Sequence, residues 1–246
     1  MRFLAALGCL TILPVGSRGA VRARDLGGSW FWFPVVGLMI GVALVGVHVV
    51  TSRVLQPLAV GACVLVAWIL ITGAIHLDGF GDICDGLYAG HTPEERLRIM
   101  KDPHIGAMAV VGLCALLLLK FALISSLTST VITRALLLTP CLGRYAMVLL
   151  GTTLPYARSG SGTAAAFVRD ADPHALGGAT VVVLLVSWCV GGIVGLGLVG
   201  ASVVGSLILR VVFQRALGGV TGAALGAAGE LTEILVLLGV SLATRS

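Results

Sequence analysis

The chain has 246 residues, of which 58% are hydrophobic and only 11% are charged, and its mean hydropathy is +1.07. A soluble domain has roughly 25% charged residues, so this composition excludes an ordinary soluble protein. The net charge is +5. The basic residues are scattered among apolar segments without a basic and aromatic stripe, so we expect no nucleic-acid partner.

Apolar segments of the length that crosses a bilayer, about 20 residues as a helix, recur along the chain. They lack the alternation of a β-barrel strand, which favours helices that satisfy their own backbone hydrogen bonds. The first segment, 3–15, is short and predicts an N-terminal interfacial or half-inserted helix. We expect one all-α domain, a polytopic transmembrane bundle of about seven spans: 31–50, 57–77, 106–127, 131–152, 178–195, 198–213 and 231–243.

The fifth and sixth of these spans share one glycine-rich stretch, 177–213, with a tight turn expected near 197–200. Four-residue glycine spacings at Gly37 and Gly41, and again at Gly191 and Gly195, predict close helix packing.

Basic residues concentrate in alternate loops, and an excess of Lys and Arg marks cytoplasmic loops. They are Arg18, Arg22, Arg24, Arg96, Arg98, Lys101, Arg158, Arg169 and Arg215. The opposite loops hold little beyond Arg53. The segments 78–105, 153–177 and 214–230 are therefore predicted to lie together on the cytoplasmic face of the cell membrane, with the lipid bilayer as a partner.

Three carboxylates stand four and three residues apart at Asp78, Asp82 and Asp85, a spacing that places them on one face of a helix. Their mutual repulsion, poorly screened near a membrane, requires a cation. Hard oxygen ligands favour Mg²⁺, with Mn²⁺ as a substitute. The pattern predicts a metal site for phosphoryl transfer. A charged helix cap is the alternative, which the interleaved glycines make less favourable.

Other polar residues are candidates for anion binding. Lys120 and Arg144 lie inside predicted spans, where ionisable residues are costly and usually functional. Lys101 beside Asp102 either holds phosphate oxygens or is a solvated loop residue. Arg158 precedes a Ser and Gly loop, 159–162, which suits an anionic ligand or a flexible connection.

In combination, these residues resemble the adenosylcobinamide-GDP ribazoletransferase family, also called cobalamin 5′-phosphate synthase. The segment from His76 to Gly86 is similar to the family signature His-x-Asp-Gly-x-x-Asp-x-x-Asp-Gly, and Met100-Lys101-Asp102 is similar to its Met-Lys-Asp element. The resemblance keeps its order over most of the chain. Its further elements are Phe33-Pro34, Lys120, Arg144, Tyr156-Ala157-Arg158 and the segment from Gly218 through Thr221 to Glu230.

The resemblance implies the step that completes the nucleotide loop of cobalamin. In that step α-ribazole, or its 5′-phosphate, attacks the cobinamide-side phosphorus of adenosylcobinamide-GDP, and GMP leaves. It implies Mg²⁺ on Asp78, Asp82 and Asp85, and a proton acceptor at Asp78 or Asp102. It implies substrate contacts from His76, Lys101, Lys120, Arg144, Arg158, Thr221 and Glu230. The oligomeric state, a homo-oligomer included, stays open.

One departure from the family pattern falls in the last element. The family usually has Asp after Thr-Gly, where this chain has Ala223. Position 223 and Glu230 are seven residues apart, close to two helical turns, so we expect them to share a face bordered by Glu233. Either Glu230, Glu233 or water replaces the missing carboxylate, or the chain is impaired, and we favour the second reading slightly.

Two other functions compete with this interpretation. A CDP-alcohol phosphatidyltransferase also uses membrane aspartates with Mg²⁺, but its first Asp-Gly pair is normally followed by Ala-Arg rather than Phe80-Gly81. A transporter predicts inverted repeats with polar residues near the midplane. The sequence has no repeat, and its acids lie at one predicted face.

Overall fold

A computed structural model describes residues 1–15, 26–158 and 164–243. All regular elements of this described part are helices, which confirms the all-α prediction. They are α1 Arg2–Leu10, a 3-10 helix over Gly28–Trp32, α2 Phe33–Thr51, α3 Pro57–Thr72, α4 Ile75–Ala89, α5 Pro93–Ile99, α6 Ala107–Ser126, α7 Ser129–Thr153, α8 Ala165–Arg169, α9 Ala175–Leu217 and α10 Gly222–Ala243. Arg18, Arg22, Arg24 and the loop 159–162 lie outside the described residues.

Among the described residues, five helical segments are long and apolar enough to cross a membrane. They are Gly28–Thr51, Ala107–Ser126, Val131–Thr153, Ala175–Leu217 and Gly222–Ala243. The pair α3 and α4 makes a sixth if it is one broken span. The count of about seven is therefore not confirmed. The last span begins at 222 rather than 231, because the small residues 222–229 continue the helix into the bundle.

The second predicted span, 57–77, is interrupted. Helix α3 ends at Thr72, and Gly73 and Ala74 have φ angles of +60° and +56°, which cannot continue a right-handed helix. Helix α4 then leaves at 89° to α3. The three aspartates consequently lie on a helix of their own, rather than at the end of a span.

Helix α9, which is 43 residues long, contains a break at Gly192, where φ is +57° and ψ is −137°. Glycine adopts this conformation because it has no Cβ. A Cβ built on Gly195 would collide with the carbonyl oxygen of Ser187, although about 12 Å of axial rise separates residues eight apart in a continuous helix. The chain therefore turns back at Gly192, and the predicted turn at 197–200 is wrong.

The core of the bundle lies along α7. Its candidate span is 89% buried, and α2, α9 and α10 pack around it. A Cβ built on Gly37 would lie 2.8 Å from the Cα of Cys141, and one on Gly41 would lie 2.9 Å from the Cα of Leu137. The close packing predicted at these two glycines is confirmed.

Four buried charged side chains join α6, α7 and α10. Lys120 donates to Glu230 at 2.8 Å and also to Glu233, and Arg144 donates to the other oxygen of Glu233. A second guanidinium nitrogen of Arg144 lies 3.2 Å from Nδ1 of His76 on α4. Because a guanidinium only donates, this Nδ1 is the unprotonated acceptor. We call these five residues the buried polar network.

The network also reaches α3, because the ammonium of Lys120 lies 4.3 Å from the ring centroid of Trp68, a cation–π contact. Its two positive and two negative charges balance. Removing charges from water costs several kcal/mol per ion, and only well-placed partners recover that free energy. The relative positions of five helices are therefore tied to one set of contacts.

Removing the charge of Glu233 should destabilise the bundle. In Glu233→Gln, Lys120 and Arg144 share the single carboxylate of Glu230, and breaking a buried pair in this way costs about 3–5 kcal/mol. We expect a clear drop in the thermal unfolding midpoint of the detergent-purified protein. Glu94→Gln makes the same chemical change on the exposed surface of α5 and should leave the midpoint nearly unchanged. Equal midpoints for the two variants would contradict a stabilising role of the network.

Candidate active site

Helix α4 presents Asp78, Asp82 and Asp85 to one cavity of about 690 Å³. Spacings of four and three residues place side chains on one helical face, so the predicted shared face is confirmed. The cavity also takes in the loop between α5 and α6, including Lys101 and Asp102. The structure thus brings the first acidic motif and the Lys-Asp element together.

Asp85 anchors the start of α6. Its Oδ2 accepts from the backbone N–H of Gly106 at 2.7 Å, and its Oδ1 accepts from Ala109 at 2.8 Å. A carboxylate satisfies the free N–H groups at a helix N-terminus and complements the helix dipole. Sequence reasoning missed this contact because its partners lie 21 and 24 residues further along the chain.

The Asp102 carboxylate accepts its hydrogen bonds from within its own loop. Its carboxylate accepts from the backbone N–H of His104 at 3.0 Å and lies 2.6 Å from the His104 ring nitrogen. These hydrogen bonds lower the pKa of Asp102 from its ordinary value, and a carboxylate of lowered pKa is a weaker general base. By contrast, Asp78 and Asp82 make no hydrogen bond or ion pair with the described residues. Of the two candidates for the base, the geometry favours Asp78.

Arg158 is placed by a short backbone pairing. The N–H of Ala157 donates to Val220 at 2.9 Å, and that of Val220 donates to Pro155 at 2.8 Å. A Cβ on Gly219 would collide with the Pro155 carbonyl, so glycine permits this approach. The guanidinium then donates to the Met100 carbonyl at 3.2 Å, and its Nε has no partner among the described atoms.

A second cavity, of about 310 Å³, also borders α4. It is lined by Arg158, His76 and Ala223 together with several aromatic and apolar side chains. Asp78 and Asp82 line both cavities. The predicted substrate contacts Lys101, Arg158 and His76 therefore lie at one cavity or the other.

The remaining predicted substrate residues do not line either cavity. Lys120, Arg144 and Glu230 belong to the buried polar network, where each is at most 4% exposed. Thr221 is buried and accepts from the N–H of Ala224 at 3.1 Å, which caps the start of α10. Substrate contact by these four residues stays a prediction. The sequence predicted a functional role for the charged residues inside spans. It did not show that these residues pair with each other.

Ala223 faces α4 at a point of close approach. A Cβ built on Gly79 would lie 2.8 Å from the Cα of Ala223. Glu230 and Glu233 are directed to Lys120, away from this cavity. Neither residue lines the cavities; replacement of the missing carboxylate by Glu230, Glu233 or water, or an impaired chain, stays a prediction.

The three polar segments predicted to share a side contact one another. Arg96 donates to the Ala216 carbonyl at 3.1 Å, at the last turn of α9. Arg158 joins the second segment to the first through Met100, and Val220 joins it to the third. All three therefore meet at the end of the bundle that carries the aspartates.

The donor set can be tested against Mg²⁺. Within the described residues, no group of three or more His, Cys, Asp or Glu side chains is placed to hold a metal ion. Mg²⁺ usually takes one or two carboxylates and completes its shell with water and substrate phosphates. Asp78 and Asp82, which face the cavity without protein partners, fit this requirement. Both oxygens of Asp85 already accept amide hydrogen bonds, so it fits less well.

Comparison with known proteins gives a consistent assignment. A family model described as Cobalamin-5-phosphate synthase matches residues 2–241. A protein of Pseudomonas fluorescens named Adenosylcobinamide-GDP ribazoletransferase is 42% identical over 245 residues, 98% of each chain. One of the same name from Chlorobium phaeobacteroides is 36% identical over 237 residues, which is 95% of this chain and 94% of the relative.

No solved structure shows a significant match to the chain. A third relative with that name, from Acetivibrio thermocellus, is 33% identical over 96% of this chain and 96% of its own length. Both the family model and the relatives extend over nearly all of the helices that build the cavities. The chain belongs to the cobalamin-5-phosphate synthase family, whose members are enzymes of cobalamin biosynthesis.

Proposed function

We propose that this chain joins α-ribazole, or α-ribazole 5′-phosphate, to adenosylcobinamide-GDP and releases GMP. The observation that carries the proposal is the cavity in which Asp78, Asp82 and Lys101 come together. Family membership supplies the substrates, since the relatives are named for this transfer. The cavity supplies carboxylates and a cation at one place, as transfer of a phosphoryl group requires.

In this proposal Asp78 and Asp82 hold Mg²⁺, or Mn²⁺ in its place, with Asp85 as a third candidate ligand. When bound, the metal would supply positive charge to the diphosphate oxygens of the donor. Asp78 and Asp82 are chosen as metal ligands because their carboxylates make no hydrogen bond or ion pair with the described residues.

The other roles follow from charge and position. A carboxylate of α4 that is not committed to the metal accepts the proton of the attacking hydroxyl, and Asp78 is the favoured one. Lys101 and Arg158 stabilise negative charge that develops on the phosphoryl oxygens and on the departing GMP. Asp102, whose partner is His104, orients the loop that carries Lys101.

We further propose about seven spans in the cell membrane, with α3–α4 as one broken span and the two arms of α9 as two. The contacts among the three polar segments support one common face, and the excess of basic residues in them assigns that face to the cytoplasm. A cytoplasmic site has direct access to nucleotide substrates.

Asp82 and Asp85 should respond differently to neutralisation. Asp82→Asn is expected to abolish GMP release without lowering the unfolding midpoint, since this side chain makes no protein contact that the change removes. Asp85→Asn should also lower the midpoint, because an amide has one acceptor oxygen where two N–H groups are bound, and hydrogen bonds to a charged group are worth about 1.5–3 kcal/mol. Asp170→Asn, on the exposed surface, is the control. Turnover and Mg²⁺ dependence like wild type in Asp82→Asn would refute the metal assignment.

Restoring the acid at position 223 should increase activity. In Ala223→Asp a carboxylate enters the smaller cavity beside Asp78 and Asp82. We expect GMP release at saturating Mg²⁺ to rise ten-fold or more, equivalent to about 1.4 kcal/mol of transition-state stabilisation. Ala223→Asn is the matched control, with the same size and no charge. Equal rates for Ala223→Asp and the parent chain would show that position 223 has no catalytic role.

The proposed orientation is testable by labelling. Single cysteines replacing His91, His174 or Gln214, in a chain without native cysteines, should resist an impermeant maleimide applied outside the cell. A cysteine replacing Gln56, in the connection from α2 to α3, should react. Permeabilised cells should label all four. Outside labelling of the first three positions would reverse the topology.

A further inference from the structure

Two cavities meet at one stretch of α4. Their volumes are about 690 and 310 Å³, and among the described residues that line them only Asp78 and Asp82 are common to both. A ligand in either cavity therefore reaches the same two carboxylates from its own side. A reaction between two substrates requires this arrangement, in which separate sites open onto one pair of reactive groups.

The larger cavity carries several charged side chains and has an exposed rim. Lys101, Asp102 and His104 are exposed on its loop side, and Asp85 lies on its helical side. Its cation, together with the carboxylates available for a metal, suits a diphosphate. The exposed rim leaves space for bulky groups at either end of that diphosphate.

Three packed aromatic residues border the smaller cavity, of which Trp30 and Phe33 are fully buried and Phe167 is 7% exposed. The rings of Trp30 and Phe33 have centroids 4.6 Å apart, and those of Phe33 and Phe167 are 6.1 Å apart in an edge-to-face arrangement. The indole N–H of Trp30 donates to the Phe167 carbonyl at 2.7 Å, which fixes the wall. Aromatic groups pack favourably on such rings, and the volume is at the lower end of the range of about 300–1,000 Å³ for small-ligand pockets.

The lining of the smaller cavity also includes polar side chains. Arg158, with its unpartnered Nε, and Tyr156 lie there with Asp78 and Asp82. A ligand that is aromatic at one end and carries hydroxyls or a phosphate at the other matches this lining along its whole length. The large donor, a corrinoid joined to GDP, does not fit such a volume.

We infer that the smaller cavity is the subsite of the acceptor nucleoside. Its aromatic base packs against the exposed part of Phe167, whose ring is supported by the buried Trp30 and Phe33, and its ribose is directed toward Asp78 and Asp82. The diphosphate of the donor occupies the larger cavity. This assignment rests on the proposed function, and it adds where each substrate binds.

The chemical step then takes place at Asp78 and Asp82, which line both cavities. A ribose hydroxyl oxygen forms a bond to the cobinamide-side phosphorus, and the bond from that phosphorus to the bridging oxygen breaks. The bridging oxygen leaves with GMP and keeps the electron pair. The hydroxyl proton passes to the carboxylate of Asp78. No oxidant or additional reactant is needed.

Filling each cavity separately tests the assignment. Ala164→Leu adds bulk to the smaller cavity, and Ala107→Leu adds the same bulk to the larger one; both residues are lining residues without a side-chain hydrogen bond. Ala164→Leu should raise KM for α-ribazole at least ten-fold and change KM for adenosylcobinamide-GDP less than two-fold. Ala107→Leu should raise the donor KM and leave the nucleoside KM within two-fold. The opposite pattern, or no change in nucleoside KM in Ala164→Leu, would overturn the inference.

A binding measurement tests the same assignment without requiring turnover and with a second variant. Equilibrium dialysis of radiolabelled α-ribazole against the detergent-purified chain, without donor, should give at least ten-fold weaker binding for Phe167→Leu. This change removes the ring and keeps the carbonyl that Trp30 uses. Unchanged binding would exclude the aromatic wall as the subsite, even if turnover is normal. If both the parent chain and Ala223→Asp make no product from the two substrates, the proposed function would instead be refuted.

Discussion

The bundle is organised around the carboxylate of Glu233, which receives Lys120 from α6 and Arg144 from α7. Arg144 continues to His76, the second residue of α4, at 3.2 Å. Because α4 departs at 89° from the helix before it, its direction is not set by chain continuity. The contact with His76 fixes its start, and the contacts of Asp85 with the N-terminus of α6 fix it about two and a half turns later. These two contacts therefore fix the positions of Asp78 and Asp82, which lie between them on α4.

Small residues let α10 approach α4 closely enough for this arrangement. A Cβ on Gly226 would lie 3.0 Å from the Cα of His76, and Gly79 meets Ala223 one turn further. Close approach excludes side chains from the crossing and leaves the space beside it open. The smaller cavity lies there, between the crossing and the aromatic wall of Trp30 and Phe33. The same contact that packs two helices thus shapes a binding space.

Sequence reasoning predicted features that depend on neighbours in the chain. The apolar lengths predicted most of the helices, the spacing of the aspartates predicted their common face, and the basic loops predicted which segments meet. Features that depend on residues distant in the chain could not be predicted from the sequence. Lys120 and Glu233 are 113 residues apart. The turn at Gly192 could not be located from the sequence because several nearby glycines are equally suitable for a turn. The break at Ala74 rests on a positive φ in a residue that normally favours helix, for which the sequence carries no signal.

The acids of the membrane bundle divide into two kinds by their pairing. Glu230 and Glu233 are at most 4% exposed and fully matched by cations, since an unmatched buried charge is not tolerated. Asp78 is exposed and Asp82 is partly buried, and neither carboxylate makes a hydrogen bond or ion pair with the described residues; the charge of Arg158 offsets only part of their mutual repulsion. The first pair holds the structure together. The second pair would be stabilised by the metal ion proposed to bind there, and the free energy that the fold leaves uncompensated would then contribute to ligand binding and catalysis.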